Sequence, residues 1–360
     1  MLDYLRICGH RSLLDLPLND VDRLVFAQLA YLDLRAAQGG QPLSQALQQA
    51  VFTNPAPPTE ERFFFQHKDD RALRDLAAAC PRYAEIIFEG FREEYSHTQQ
   101  VQFASLSLRL PADTLLIAYR GTDNTLAGWK EDLNLAFMNE IPAQAEACRL
   151  ADALAPGYVN LELCGHSKGG NLALYAAACM SPENQQKLRA AVSFDGPGLS
   201  MELITSAGYL RIADRTRLII PSASLVGLLF HQPADVRVVE SRVFSILQHY
   251  PYFWRTEGEN FLFAHRQSKV SRTIGDTIRL TLDKLEPDMR RTLIDAVWEI
   301  VEVTGAETTK GLLRVWIRST PAVLKKLLKT DPDIYRQALT LLIRFWLSAA
   351  QALTGDTTEE

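Results

Sequence analysis

The spacing of apolar positions changes along the chain, and each change predicts a different kind of element. From about residue 19 to 50 it is helical, with Val21, Leu24, Val25, Leu29 and Leu32 on one face and Asp20 near the helix start. Asn54-Pro55-Ala56-Pro57-Pro58-Thr59 cannot continue a helix, since each proline fixes φ and removes a donor. Arg71 to Gly90 then reads as further helix, interrupted by Pro81. At Val101 the period drops to two, over Val101-Gln102-Phe103-Ala104-Ser105-Leu106-Ser107-Leu108. The buried-type run Thr114 to Tyr119 follows, with Pro111-Ala112-Asp113 as the turn of a hairpin. Four more short apolar runs, Leu161 to Cys164, Ala191 to Phe194, Arg217 to Ile220 and Val236 to Val239, are separated by helix-like or turn-rich sequence. Strands alternating with helices predict an α/β fold with a mostly parallel central sheet and helices on its faces. After about Ala264 the strand signal stops, and amphipathic helical segments fill roughly 268–284, 287–304, 309–329 and 332–354. The expected organisation is a helical N-terminal part over 1–100, an α/β core over 101–265 and a C-terminal helical region over 266–360.

Composition changes this picture little. The chain has 360 residues, 47% hydrophobic and 22% charged, enough to bury a large core. Its formal net charge of −5 has both signs interspersed, so nothing in the balance calls for a nucleic-acid partner. Five cysteines, Cys8, Cys80, Cys148, Cys164 and Cys179, show no C-x-x-C spacing and fit free thiols in a reducing compartment. The opening Met1-Leu2-Asp3-Tyr4-Leu5-Arg6 has an early acid and no continuous apolar run, and no uncharged apolar stretch of about 18 residues occurs. A cytoplasmic protein is the expectation.

The chemistry concentrates at Gly165-His166-Ser167-Lys168-Gly169, between the strand-type run ending at Cys164 and the helix-like Asn171 to Ala178. A serine presented to a substrate carbonyl sits best on a sharp strand-to-helix turn, which needs residues without Cβ at Gly165 and Gly169. The same turn aims backbone N–H groups at a helix start, where a developing oxyanion can be held. G-x-S-x-G alone is a weak signal, and the strand-turn-helix context is what favours a nucleophile elbow over an ordinary tight turn.

A serine nucleophile needs a base and an acid that fixes the base's tautomer, and on such sheets they follow in the order Ser, Asp or Glu, His. The downstream histidines are His231, His249 and His265. His249 is the favoured base because it lies in the turn-like Leu247-Gln248-His249-Tyr250-Pro251 after the last predicted strand. For the acid, Asp195 ends the strand Ala191 to Phe194 and is followed by Gly196-Pro197-Gly198, at the carboxyl edge where ligands of such sheets gather. Asp235 precedes a strand and falls at the opposite edge, which makes it the second choice. The turn after Tyr119, Arg120-Gly121-Thr122-Asp123, offers Thr122 as one oxyanion donor, and the N–H of Lys168 offers the other. Each donor is worth about 3 kcal/mol in the transition state.

Ala118-Tyr119-Arg120-Gly121-Thr122-Asp123, Gly128-Trp129-Lys130-Glu131-Asp132-Leu133 and Gly165-His166-Ser167-Lys168-Gly169-Gly170 together resemble the class 3 lipases over roughly residues 100–260. Those lipases carry a strand ending in F-R-G-[ST], then D-W-x-x-D-L, then G-H-S-L-G-G. The lysine in H-S-K-G-G, the opening Asp3-Tyr4-Leu5 with Leu16 to Asp22, and Gln248-His249 before Trp254 are closer still to the Mbeg-like branch, a domain family of unknown function. The resemblance implies an α/β-hydrolase with a Ser/Asp/His triad acting on esters, and Ser167 and Thr122 match its pattern directly. The acid departs from it. Class 3 lipases place theirs after the strand equivalent to Arg217 to Ile220, where this chain has Pro221-Ser222-Ala223-Ser224. Asp195 would instead resemble the arrangement of pancreatic-type lipases, and Asp132 reads as structural.

Two basic features complete the reading. The Lys168 side chain is expected to pair with a carboxylate, to pack its stem and extend its ammonium to water, or to favour an anionic substrate. Lys310, Arg314, Arg318, Lys325, Lys326 and Lys329 interleave with Leu312, Leu313, Trp316, Ile317, Leu324, Leu327 and Leu328. That pattern fits a helix packed on the domain with a solvated face, or one in peripheral contact with a membrane surface. The expectation is a serine carboxylester hydrolase of lipase or esterase type, acting on a small-molecule or lipid ester and needing no metal or organic cofactor. The competing class is a non-catalytic scaffold or interaction module that retains the fold.

Overall fold

The structure is a computed structural model describing residues 1–52, 64–96, 101–122, 140–224, 226–243, 245–264, 267–268 and 272–273. Eight strands form one sheet in sequential order: β1 (Gln41–Pro42), β2 (Ile87–Ser96), β3 (Val101–Leu110), β4 (Thr114–Tyr119), β5 (Asn160–His166), β6 (Leu188–Phe194), β7 (Thr216–Pro221) and β8 (Val236–Val239). β1 to β4 pair antiparallel, and β4 to β8 run parallel. The hairpin at 111–113 is present, with Ala112 and Asp113 both at positive φ. One expectation is corrected: the helix read over Arg71 to Gly90 ends at Ala79, Pro81 opens a short 3₁₀ turn, and Ile87 begins β2. Glu89, Arg92, Glu93 and Glu94 leave β2 with little apolar alternation, so no period-two signal marked it.

Parallel strands in sequential order are joined by right-handed crossovers, which put every connecting helix on the same face. α5 (Pro142–Leu154) and α6 (Lys168–Cys179) cover that face against Leu115, Ile117, Tyr119, Leu161, Leu163 and Ala191. The opposite face therefore needs another cover, and the N-terminal helices provide it. α1 (Leu2–Cys8), α2 (Asp20–Leu29), α3 (Leu43–Gln48) and α4 (Phe64–Ala79) pack a core with Leu116, Ala118, Cys164, Val192, Phe194 and Ile219. The parity of the strands decides the split: Leu116 and Ala118 face one layer while Leu115, Ile117 and Tyr119 face the other. α1 to α4 thus form a layer on that face of the sheet, which β1 and β2 extend.

α2 starts with a capping box, in which Asn19 accepts from the N–H groups of Val21 and Asp22 while Asp22 accepts from the N–H of Asn19 at 3.1 Å. Asp22 also anchors a fully buried ion pair. Arg82 Nε donates to it at 2.7 Å, Tyr83 at 2.8 Å and Tyr4 at 2.9 Å, and Arg82 Nη1 reaches the carbonyl of Leu16 at 2.8 Å. Removing one partner of such a pair strands the other charge away from water. Arg82→Met should lower unfolding free energy by roughly 3 kcal/mol. An unchanged urea midpoint would contradict that assignment of the pair. The segment 266–360, over which basic amphipathic helices are expected, falls almost entirely outside the described residues. Among the described residues no helix is long and apolar enough to cross a membrane.

Candidate active site

The site is set by strand register. Tyr119 lies opposite Gly165 and His166 opposite Phe194, so the residues just beyond the ends of β4, β5 and β6 arrive at one level at the carboxyl edge. Ser167 stands there with φ 58° and ψ −132°, between β5 and α6. That backbone is costly for a residue with a Cβ and persists only where its surroundings enforce it. Here the Ser167 N–H donates to the Phe194 carbonyl at 2.9 Å, and its carbonyl accepts from Gly170 N–H at 2.9 Å. A Cβ on Gly165 would collide with the Gly169 carbonyl, and a Cβ on Gly169 with that of Tyr119, so the strand-to-helix turn closes only with glycine at both places.

Asp195 follows β6 at φ 49° and is 1% exposed. Its N–H donates to Ile219 O at 2.8 Å. One carboxylate oxygen, Oδ1, accepts from the Ser224 hydroxyl and from Gly227 N–H at 3.2 Å. The other, Oδ2, lies 2.7 Å from His249 Nδ1. His249 Nε2 is 3.1 Å from Ser167 Oγ. The structure thus brings together Ser167, His249 and Asp195 in one hydrogen-bonded line, with every Asp195 oxygen engaged. The turn Pro221 to Ser224, which bears no carboxylate, supplies a hydroxyl that holds the carboxylate of the preceding strand.

The loop bearing His249 is bolted at several points. Gln248 Oε1 accepts from Ala223 N–H at 2.8 Å, and its Nε2 donates to Val243 O at 2.8 Å. Trp254, 1% exposed, donates from Nε1 to Gln248 O at 2.7 Å, and Tyr252 donates to Asp70 on α4 at 2.7 Å. Beneath the loop Trp254 packs with Phe194 and Phe261 at centroid distances near 6 Å, namely 6.3 and 6.0 Å. A histidine so held keeps its ring orientation without substrate.

The other candidates lie elsewhere. Asp235 sits at the opposite edge of the sheet, paired with Arg217 at 2.9 Å and Arg237 at 3.0 Å. Burial would raise its pKa, but the hydrogen bonds from Arg237 and Arg217 outweigh burial and hold it below the usual carboxylate value. His231 exchanges backbone hydrogen bonds with Leu199. His265 and Asp132 lie outside the described residues. Thr122 follows Gly121, whose added Cβ would lie 3.0 Å from Ser167 Cβ, so the chain leading into Thr122 passes directly beside Ser167. Arg120 pairs with Glu93 at 2.8 Å and ties that turn to β2. Lys168 occupies the first position of α6. Its side chain departs from the expected solvated ammonium. The residue is 1% exposed and Nζ donates to Gln102 O at 2.9 Å, because α6 runs under the sheet and buries everything from Lys168 to Ala178.

Three contributors were not anticipated. Ser224 and Gly227 hold Asp195, and Tyr31 lies against the elbow with its hydroxyl 3.2 Å from His166 Nδ1. A serine and a glycine in a turn carry no distinguishing signal, and Tyr31 is 135 residues from its partner. Among the described residues no group of three or more histidines, cysteines, aspartates or glutamates is placed to hold a metal ion.

A family model described as Mbeg1-like matches residues 77–299. No curated protein matches the chain. Similar solved structures include a fungal lipase in complex with an inhibitor, at 14% identity and a TM-score of 0.33, covering 48% of this chain and 69% of that one. A structure described as M37 lipase is 14% identical with a TM-score of 0.36, covering 57% and 68%. A lipase from Rhizopus microsporus var. chinensis is 11% identical with a TM-score of 0.37, covering 70% and 82%.

Proposed function

The chain belongs to the Mbeg1-like family, and we propose that it is a serine hydrolase cleaving carboxylic esters through an acyl-enzyme. The observation that carries this reading is the continuous line from Ser167 Oγ to His249 Nε2 at 3.1 Å and from His249 Nδ1 to Asp195 Oδ2 at 2.7 Å. A carboxylate on Nδ1 keeps the proton there and leaves Nε2 as an acceptor, the tautomer needed to take a proton from a serine hydroxyl. Oγ attacks the acyl carbonyl as His249 takes its proton, and Asp195 stabilises the imidazolium. His249 then returns the proton to the leaving alcohol, and the base activates water for the second half-reaction. The N–H of Lys168 and the Thr122 turn receive the oxyanion.

The substrate class is a small-molecule or lipid ester, and the chemistry calls on no metal or organic cofactor. A reducing, cytoplasmic setting agrees with the described cysteines, all of them free thiols. The test is covalent labelling with a fluorophosphonate probe followed by peptide mapping. Label is expected on Ser167, with His249→Ala slowing its attachment by about 10³-fold or more and His231→Ala leaving it unchanged. A chain that folds and takes no label would favour the non-catalytic scaffold.

A further inference from the structure

His166, inside the elbow motif, is not part of the line just described, yet its ring is engaged at both nitrogens. Nε2 lies 2.9 Å from the backbone carbonyl of His249, and a carbonyl can only accept, so Nε2 carries the proton. In the neutral ring Nδ1 then presents a lone pair, and the Tyr31 hydroxyl stands 3.2 Å from it. The Tyr31 oxygen in turn accepts from Gly121 N–H at 3.2 Å. Donors and acceptors follow one direction, from Gly121 through Tyr31 and His166 to His249, and such chains strengthen each member.

We propose that Tyr31 and His166 form a positioning clamp that holds the backbone of His249 at one end and the Gly121 turn at the other, keeping base and oxyanion turn in register with Ser167. The proposal rests on the hydrolase reading above. Three observations support a role beyond filling space. The clamp joins the three segments that must meet at a reacting carbonyl, namely the turn after β4, the elbow and the loop of His249. The rings of His166 and His249 lie 4.7 Å apart at 36° and must hold opposite tautomers, since His249 gives its proton from Nδ1 to Asp195 and His166 gives its own from Nε2. Burial, aided by the neighbouring His249, keeps His166 well below the ordinary imidazole pKa, so it stays neutral beside the cation that His249 becomes during turnover. Among the described residues, the titratable groups that face it are Tyr31, from the segment after α2, and His249.

Labelling kinetics with the fluorophosphonate probe separate positioning from packing. His166→Phe keeps ring volume but has no donor, so the maximal labelling rate should fall by about 10- to 100-fold while the concentration for half-maximal rate stays put. His166→Gln keeps an N–H for the His249 carbonyl and should recover to within about threefold of the parent, with Tyr31→Phe between the two. A His166→Phe chain that melts cooperatively and labels at the parent rate overturns the clamp. Imidazole ¹⁵N spectra of the unaltered protein supply a readout independent of activity. One histidine signal, absent in His166→Gln, should show the neutral Nε2–H form and remain neutral as the pH falls through about 6.5. An Nδ1–H or protonated ring at neutral pH overturns the proposal. If the unaltered protein takes no label, the hydrolase reading fails while the spectra still decide the clamp.

Discussion

Ser167→Ala is expected to lose hydrolysis of short p-nitrophenyl esters by about 10⁶-fold while the melting curve stays close to that of the parent. The backbone at Ser167 is held by Phe194 O and Gly170 N–H, neither of which involves the hydroxyl, and alanine keeps the Cβ that lies near Gly121. The hydroxyl contact with His249 is therefore what is removed. Turnover at the parent rate in a purified Ser167→Ala sample would sink the catalytic assignment.

Asp195→Asn should be nearly as damaging, lowering kcat by about 10⁴-fold with little change in KM or stability. The reason lies in how the carboxylate is gripped. Oδ1 faces two donors, the Ser224 hydroxyl and Gly227 N–H, so an asparagine must turn its oxygen to that side. Its NH₂ then points at His249 Nδ1 and donates to it. The imidazole must place its proton on Nε2, facing Ser167, and it can no longer accept the serine proton. Shape is conserved and the tautomer is reversed. Asp235→Asn, at the other edge of the sheet, should leave kcat within about twofold of the parent. Equal losses at the two positions would move the acid assignment, and a parent-like rate in Asp195→Asn would leave Ser167 and His249 working as a dyad.

How much of this was legible in the sequence follows from the range of each interaction. The elbow is local: Gly165, Ser167 and Gly169 fall within five residues, and their demands can be read without the rest of the chain. β5, β6 and β7 were legible because both faces are buried and apolar residues dominate their centres, interrupted only by Glu162 in β5 and Ser193 in β6. β2 was not, since its charged residues carry no period-two pattern. For the acid, chain order and sheet edge separated Asp195 from Asp235, but nothing in the sequence shows that Ser224 and Gly227 close on Asp195. Tyr31 reads as one more residue at a helix end until the fold carries it to His166. The layer role of α1 to α4 was equally hidden, because a helical face shows that it is buried and does not show against what.

That layer also governs the order in which the molecule can be made. Leu24, Phe26 and Leu29 of α2 leave the ribosome early, yet the core they share includes residues as late as Phe261. The ties between the two parts are equally distant in sequence, from Arg23 to Glu162 and from Asp3 to Arg242. Contacts of that span close slowly, since the entropy of a long loop is lost before any burial repays it. During synthesis the N-terminal helices wait with an uncovered apolar face, which is where a nascent chain is most exposed to self-association and most dependent on a chaperone.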